Sequence, residues 1–95
     1  MRRAARTDDN HEAIVQALRQ IGASVQSLAT IGKGCPDLLV FSTFCGYLLL
    51  EIKDGSKPPS ARKLTEDEKR WHNAWKGPVY IVTSVEEALR IALKG

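Results

Sequence analysis

No apolar run in this sequence approaches the ~20 residues of a membrane span, so no membrane association is expected. The opening Met-Arg-Arg-Ala-Ala-Arg is basic and lacks the apolar stretch of a signal peptide. Cysteine is scarce: Cys35 and Cys45 have neither the spacing nor the companions of a zinc site, and two cysteines do not make a disulfide framework. Both are expected to be reduced, in a cytoplasmic compartment. There is no internal repeat, no low-complexity block and no P-loop, because the glycines around Lys33 have the wrong spacing and the wrong following structure. A small-molecule cofactor is therefore not expected. Strong charge of one sign is missing too: the net charge of +3 is too mild to mark a nucleic-acid binder by itself.

What remains fits one domain. Ninety-five residues bury a single modest core, and 43% apolar with 26% charged residues is an ordinary globular balance. Residues 1–7, with Arg2, Arg3 and Arg6, read as a flexible basic arm before a domain over 8–95. From Asp8 the pattern is helical, with Ile14, Leu18 and Ile21 on one stripe, Asp9 as N-cap, Glu12 closing a capping box and Gly22 ending the helix. Ser24 to Ile31 alternates loosely and reads as a first strand. Leu38–Phe41 and Tyr47–Leu50 are apolar runs bridged by a turn around 42–46, the pattern of a buried hairpin.

After the hairpin, 54–63 is a basic, proline-containing loop. Thr65 caps a second helix, with Glu68 in a capping box. Trp71 and Trp75 share a face of it and read as core. Gly77-Pro78 breaks the chain before a buried strand, 79–82. Ser84 caps a third helix with Glu87 three residues on. The expected order is helix, three strands, helix, strand, helix. A strand reached through a helical crossover lies parallel to its partner, so the sheet is mixed and four-stranded, in an α/β fold.

The chemistry concentrates at one end of the hairpin. Asp37 enters its first strand and Glu51 leaves its second. Strand alternation puts Glu51 and Lys53 on one face, with Ile52 on the other. Read separately, these are turn and salt-bridge residues. Together, two hard oxygen ligands suit Mg²⁺, which takes one or two carboxylates and keeps several waters, and a lysine beside them can offset charge on a phosphate.

The pattern Pro36-Asp37, a spacer, then Glu51-Ile52-Lys53 resembles the PD-(D/E)XK nucleases. More closely, it resembles their virus-type replication-repair nuclease (VRR-NUC) domain in its stand-alone phage form. The resemblance runs from about Glu12 to the last helix and implies the core just described. It implies a metal-dependent endonuclease hydrolysing phosphodiester bonds, with Asp37, Glu51 and the backbone carbonyl of Ile52 on Mg²⁺ (or Mn²⁺). Lys53 would be catalytic, and Glu12 would reach the metal directly or through water. A glutamine often stands in the family where this chain has Glu68, so Glu68 is open as a cap or as an active-site group. His72 can carry a proton, but beside two tryptophans it reads as structural.

Lys33, Lys57, Arg62, Lys63, Lys69 and Arg70 are the expected phosphate contacts, giving affinity without base reading. The expected substrate is branched DNA such as a Holliday junction, cut by a homodimer in the cytoplasm (that of the bacterial host, if phage-encoded). Val85, Ile91 or the edge of Trp75 would form the dimer contact. The alternatives are a non-catalytic nucleic-acid-binding module on the same core, a protein-interaction domain with an incidental acidic rim, and a monomeric flap or nicking nuclease.

Overall fold

Apolar alternation in the hairpin has one physical outlet, a sheet with a buried face, and the helices supply its cover. The computed structural model describes residues 9–94; the expected basic arm lies outside them. Its elements are α1 (His11–Gln20), β1 (Ser24–Ser27), β2 (Leu38–Ser42), β3 (Gly46–Ile52), a 3₁₀ turn (Pro59–Arg62), α2 (Glu66–Ala74), β4 (Val79–Val82) and α3 (Val85–Ala92). The sheet order is β1-β2-β3-β4, with β1, β2 and β3 antiparallel and β4 parallel to β3. This is the expected α/β fold: a mixed four-stranded sheet with α2 as the crossover.

The core lies on the face carrying Leu38 and Val40 of β2, Leu48, Leu50 and Ile52 of β3, and Val82 of β4. Ile14, Val15 and Leu18 of α1 and Ala88 and Ala92 of α3 close over it. Register pairs Leu38 with Leu50 and Val40 with Leu48, so the apolar side chains stack across strands. Ser42, buried at the end of β2, donates from Oγ to the Ala92 carbonyl at 2.6 Å, which satisfies a polar group inside the core. Among the described residues no helix is long and apolar enough to cross a membrane.

Three local expectations are corrected. First, β1 stops at Ser27 rather than Ile31: the chain turns over 29–31, where the Ile31 N–H donates to the Leu28 carbonyl at 3.0 Å. Second, the Asp9–Glu12 capping box does not form. The cap of α1 is Asn10, and its side chain makes no capping bond. Asn10 Nδ2 donates instead to the Lys53 carbonyl (3.2 Å) and the Thr83 carbonyl (3.0 Å), pinning the start of α1 to the ends of β3 and β4. Third, β4 is an edge strand with Tyr80 and Ile81 exposed, and α2 contributes no buried residue. Trp71 and Trp75 stack on each other at 4.7 Å, but Trp75 is 48% exposed, so the pair is not core.

The Thr65–Glu68 capping box is present in full, and Ser84 caps α3 by accepting from the Glu87 N–H. The Glu87 carboxylate turns instead to the N–H and hydroxyl of Thr83.

Candidate active site

The pairing of Leu38 with Leu50 means that one step further along the hairpin Asp37 stands opposite Glu51, on the face away from the core. Both therefore sit at the ends of the two central strands, not on an edge strand. Asp37 is held by its backbone, whose N–H donates to the Leu50 carbonyl at 3.0 Å. Its Oδ2 accepts the Ile52 N–H at 2.7 Å. The N–H and C=O of one strand residue point to the same neighbouring strand, so the Ile52 carbonyl also faces the Asp37 side. Glu51 is only 2% exposed.

Helix α2 lies over this pair. Lys53 Nζ meets Glu68 Oε1 at 2.8 Å, and His72 Nε2 lies 3.3 Å from Glu51 Oε1. The two spacings match: four residues rise about 6 Å along a helix, and two residues advance about 6.6 Å along a strand. Glu68 also accepts from the Thr65 N–H at 2.9 Å, so one carboxylate oxygen serves both cap and lysine. Gly34 sets the approach of the helix: with φ +85°, a Cβ there would lie 2.3 Å from the Asp67 carbonyl oxygen and 2.8 Å from the Glu68 nitrogen.

The electrostatics follow from this crowding. Burial, then the charge and hydrogen bonding of Asp37, then Glu68, push the Glu51 carboxyl up to about 9 against the opposing pull of Lys53. Glu68 goes the other way: burial raises it, but the Lys53 hydrogen bond, the Thr65 N–H, the Lys53 charge and the Glu51 hydrogen bond together hold it below its ordinary value. Cys35, two residues before Asp37, is raised by burial and by the charges of Glu51 and Asp37, so it stays a thiol at neutral pH.

Among the described residues no group of three or more His, Cys, Asp or Glu side chains is arranged to hold a metal ion. The groups that could hold a cation here are the two carboxylates of Asp37 and Glu51 and the Ile52 backbone carbonyl. That set fits Mg²⁺ or Mn²⁺, which complete their shell with water. The buried Glu51 and half-buried Asp37, whose neighbouring Lys53 ammonium is also engaged by Glu68, are short of positive charge, and a divalent cation would relieve that shortage.

The other expected site residues are dispersed. Glu12 is exposed and accepts from Gln16 Nε2 at 2.8 Å, a contact along its own helix. Lys33, Lys57 and Lys63 are exposed in turns and loops. Arg62 is half-buried, with Nε unpartnered and its charge acting on Glu87. Lys69 and Arg70 are ion-paired to Glu66 and Asp67 in the first turn of α2, so this helix start is not a basic stripe. Such exposed pairs are worth about 0–1 kcal/mol and exchange readily for phosphate. Asp54 accepts from the Ser56 N–H and hydroxyl, as a turn residue does.

Sequence reasoning missed the contact of His72 with Glu51 and the closeness of Cys35 to both acids. The i,i+4 spacing of Glu68 and His72 was the available signal for the first. Fold and site together define a small α/β protein with a carboxylate pair, Glu51 buried and Asp37 half-buried, closing its two central strands. No family model, no curated protein and no solved structure matches the chain.

Proposed function

We propose that the protein is a metal-dependent endonuclease hydrolysing phosphodiester bonds in DNA, branched DNA such as a Holliday junction above all, as its resemblance to the virus-type replication-repair nucleases implies. The observation that carries the reading is the pairing of the buried Glu51 with the half-buried Asp37, with Lys53 beside them. Asp37, Glu51 and the Ile52 carbonyl would hold one or two Mg²⁺ ions. The cation supplies positive charge against the phosphate and acidifies an attacking water.

The chain's own residues do the rest. Asp37 and Glu51 fix where positive charge sits, and the buried strands behind them keep that position rigid. Lys53, one alternation beyond Glu51, orients the water or offsets charge on the phosphate at the transition state. Water oxygen bonds to phosphorus as the bond from phosphorus to the leaving sugar oxygen breaks, and that oxygen takes up a proton. Lys33, Lys57, Lys63 and the half-buried Arg62 are available to flanking phosphates. Lys69 and Arg70 join them only by leaving their acidic partners.

A homodimer in the cytoplasm, that of the bacterial host if the chain is phage-encoded, is part of the same reading. Val85 packs against the core and does not line the exposed groove at β3 and β4, which makes it a poor candidate for the contact. Phe44, Tyr47 and Tyr80 are exposed around a groove of about 310 Å³ with Pro78 and Ile91, and they suit it better.

Incubation with junction, flap and linear duplexes in Mg²⁺ or Mn²⁺, then in EDTA, tests the proposal. Cation-dependent cleavage is expected. Asp37→Asn, Glu51→Gln and Lys53→Ala should each reduce it by about 10²–10³ or more while the fold survives. Near-wild-type cleavage by a folded Glu51→Gln overturns the site. DNA binding without cleavage by the wild type would favour the non-catalytic binding module.

A further inference from the structure

We infer that His72 is a positioning residue for Glu51, holding one carboxylate oxygen so that the other is presented beside Asp37. The inference rests on the metal-site reading above and assigns work to a residue whose sequence context suggests packing alone.

A carboxylate placed against a second carboxylate tends to rotate away from it, so a site that depends on the pair must restrain that rotation. The Asp37 oxygen is restrained by the Ile52 N–H at 2.7 Å. Glu51 receives its restraint from the facing helix: His72 Nε2 lies 3.3 Å from Oε1, with the two side chains only 13% and 3% exposed. With Glu51 ionised, Nε2 carries the hydrogen and donates it.

The imidazole is fixed in turn. Its helix is closed at the start by the complete Thr65–Glu68 capping box. The helix start is seated on Gly34, where no side chain would fit. One turn before His72, Glu68 grips Lys53 at 2.8 Å. Trp71 meets the imidazole edge-on at 6.3 Å and stacks on Trp75. Rotation of α2 about its axis would break both contacts to β3 together, so the helix face and the strand face are locked as a pair. Outer partners of this kind orient metal-binding side chains, and losing one typically costs about 10–100-fold in metal affinity or activity.

Mn²⁺ binding to the full chain, measured from the free-ion electron paramagnetic resonance signal, tests the inference without reliance on turnover. His72→Ala should weaken binding by about 10–100-fold, with circular dichroism unchanged. His72→Gln, whose amide N–H reaches the same region, should recover most of the loss. Equal binding by wild type and a folded His72→Ala overturns the inference and leaves the metal site standing. His72→Gln as weak as His72→Ala overturns it as well, because packing and not donation would then be at stake.

Wild-type protein that binds no Mn²⁺ overturns both the metal site and the inference. Should the variants fail to fold, the wild type still decides: Nε2 of His72 must remain protonated in Mg²⁺-loaded protein by ¹⁵N nuclear magnetic resonance. A bare Nε2 overturns the donor role.

Discussion

A carboxyl group that is 2% exposed and faces a second carboxylate lowers its energy in one of two ways: it keeps its proton or it shares a cation with its neighbour. Glu51, pushed up to about 9 by burial and by Asp37, keeps its proton at neutral pH in the metal-free protein. Between the ordinary value of 4.5 and about 9 the folded state then holds more protons than the unfolded state, so its stability falls as pH rises through that window. The melting temperature of EDTA-treated protein is expected to drop from pH 5 to about pH 9. The drop should shrink in Glu51→Gln and be offset by Mg²⁺ in the wild type. A flat or rising profile in the wild type would contradict the proton-holding pair. Asp37, Glu51 and Lys53 were legible in the sequence because strand alternation dictates which way each points. The pairing of Glu68 and His72 with them was not, since the rotation of α2 is set by its seat on Gly34, a tertiary contact. Asp9 and Glu12 were misread for a related reason: the cap side chain, Asn10, is spent on Lys53 and Thr83, far along the chain.

Gly34 connects element to site. Gly22 and Gly34 both adopt positive φ, 90° and 85°, but an added Cβ meets nothing within 4 Å at Gly22 and strikes the α2 backbone at Gly34. Gly22→Ala should therefore cost only the conformational strain, about 1–2 kcal/mol, and leave cleavage intact. Gly34→Ala should destabilise more and, by lifting the start of α2, lose cleavage as well. Chemical denaturation and the cleavage assay on the same two proteins check both parts; equal behaviour would remove Gly34 from the account. At this scale the order of elements and the sheet topology were legible from periodicity, caps and the crossover rule. The errors fell where neighbours decide: an apolar tetrapeptide such as 79–82 looks buried until its position at the sheet edge exposes Tyr80 and Ile81.

The described molecule measures 33 × 31 × 27 Å and carries the Asp37–Glu51 pair at one end of its central strands. Two cuts related by symmetry across a branched DNA call for two such sites, and a two-fold dimer supplies them. Light scattering at micromolar concentration, with and without a four-way junction, should report a dimer. A monomer in both conditions would remove the dimer and favour the reading of a monomeric nuclease that nicks one strand at a time. The crossover helix adds a different consequence. It buries no residue of its own, and its ties to the sheet include the contacts that shape the site. The sheet therefore carries Asp37 and Glu51, while the groups that brace Glu51 and Lys53 belong to a helix held by fewer contacts. On warming, α2 can open by local unfolding, which costs less free energy than loss of the whole fold. The chain would then lose its function while its sheet, read spectroscopically, still looked native.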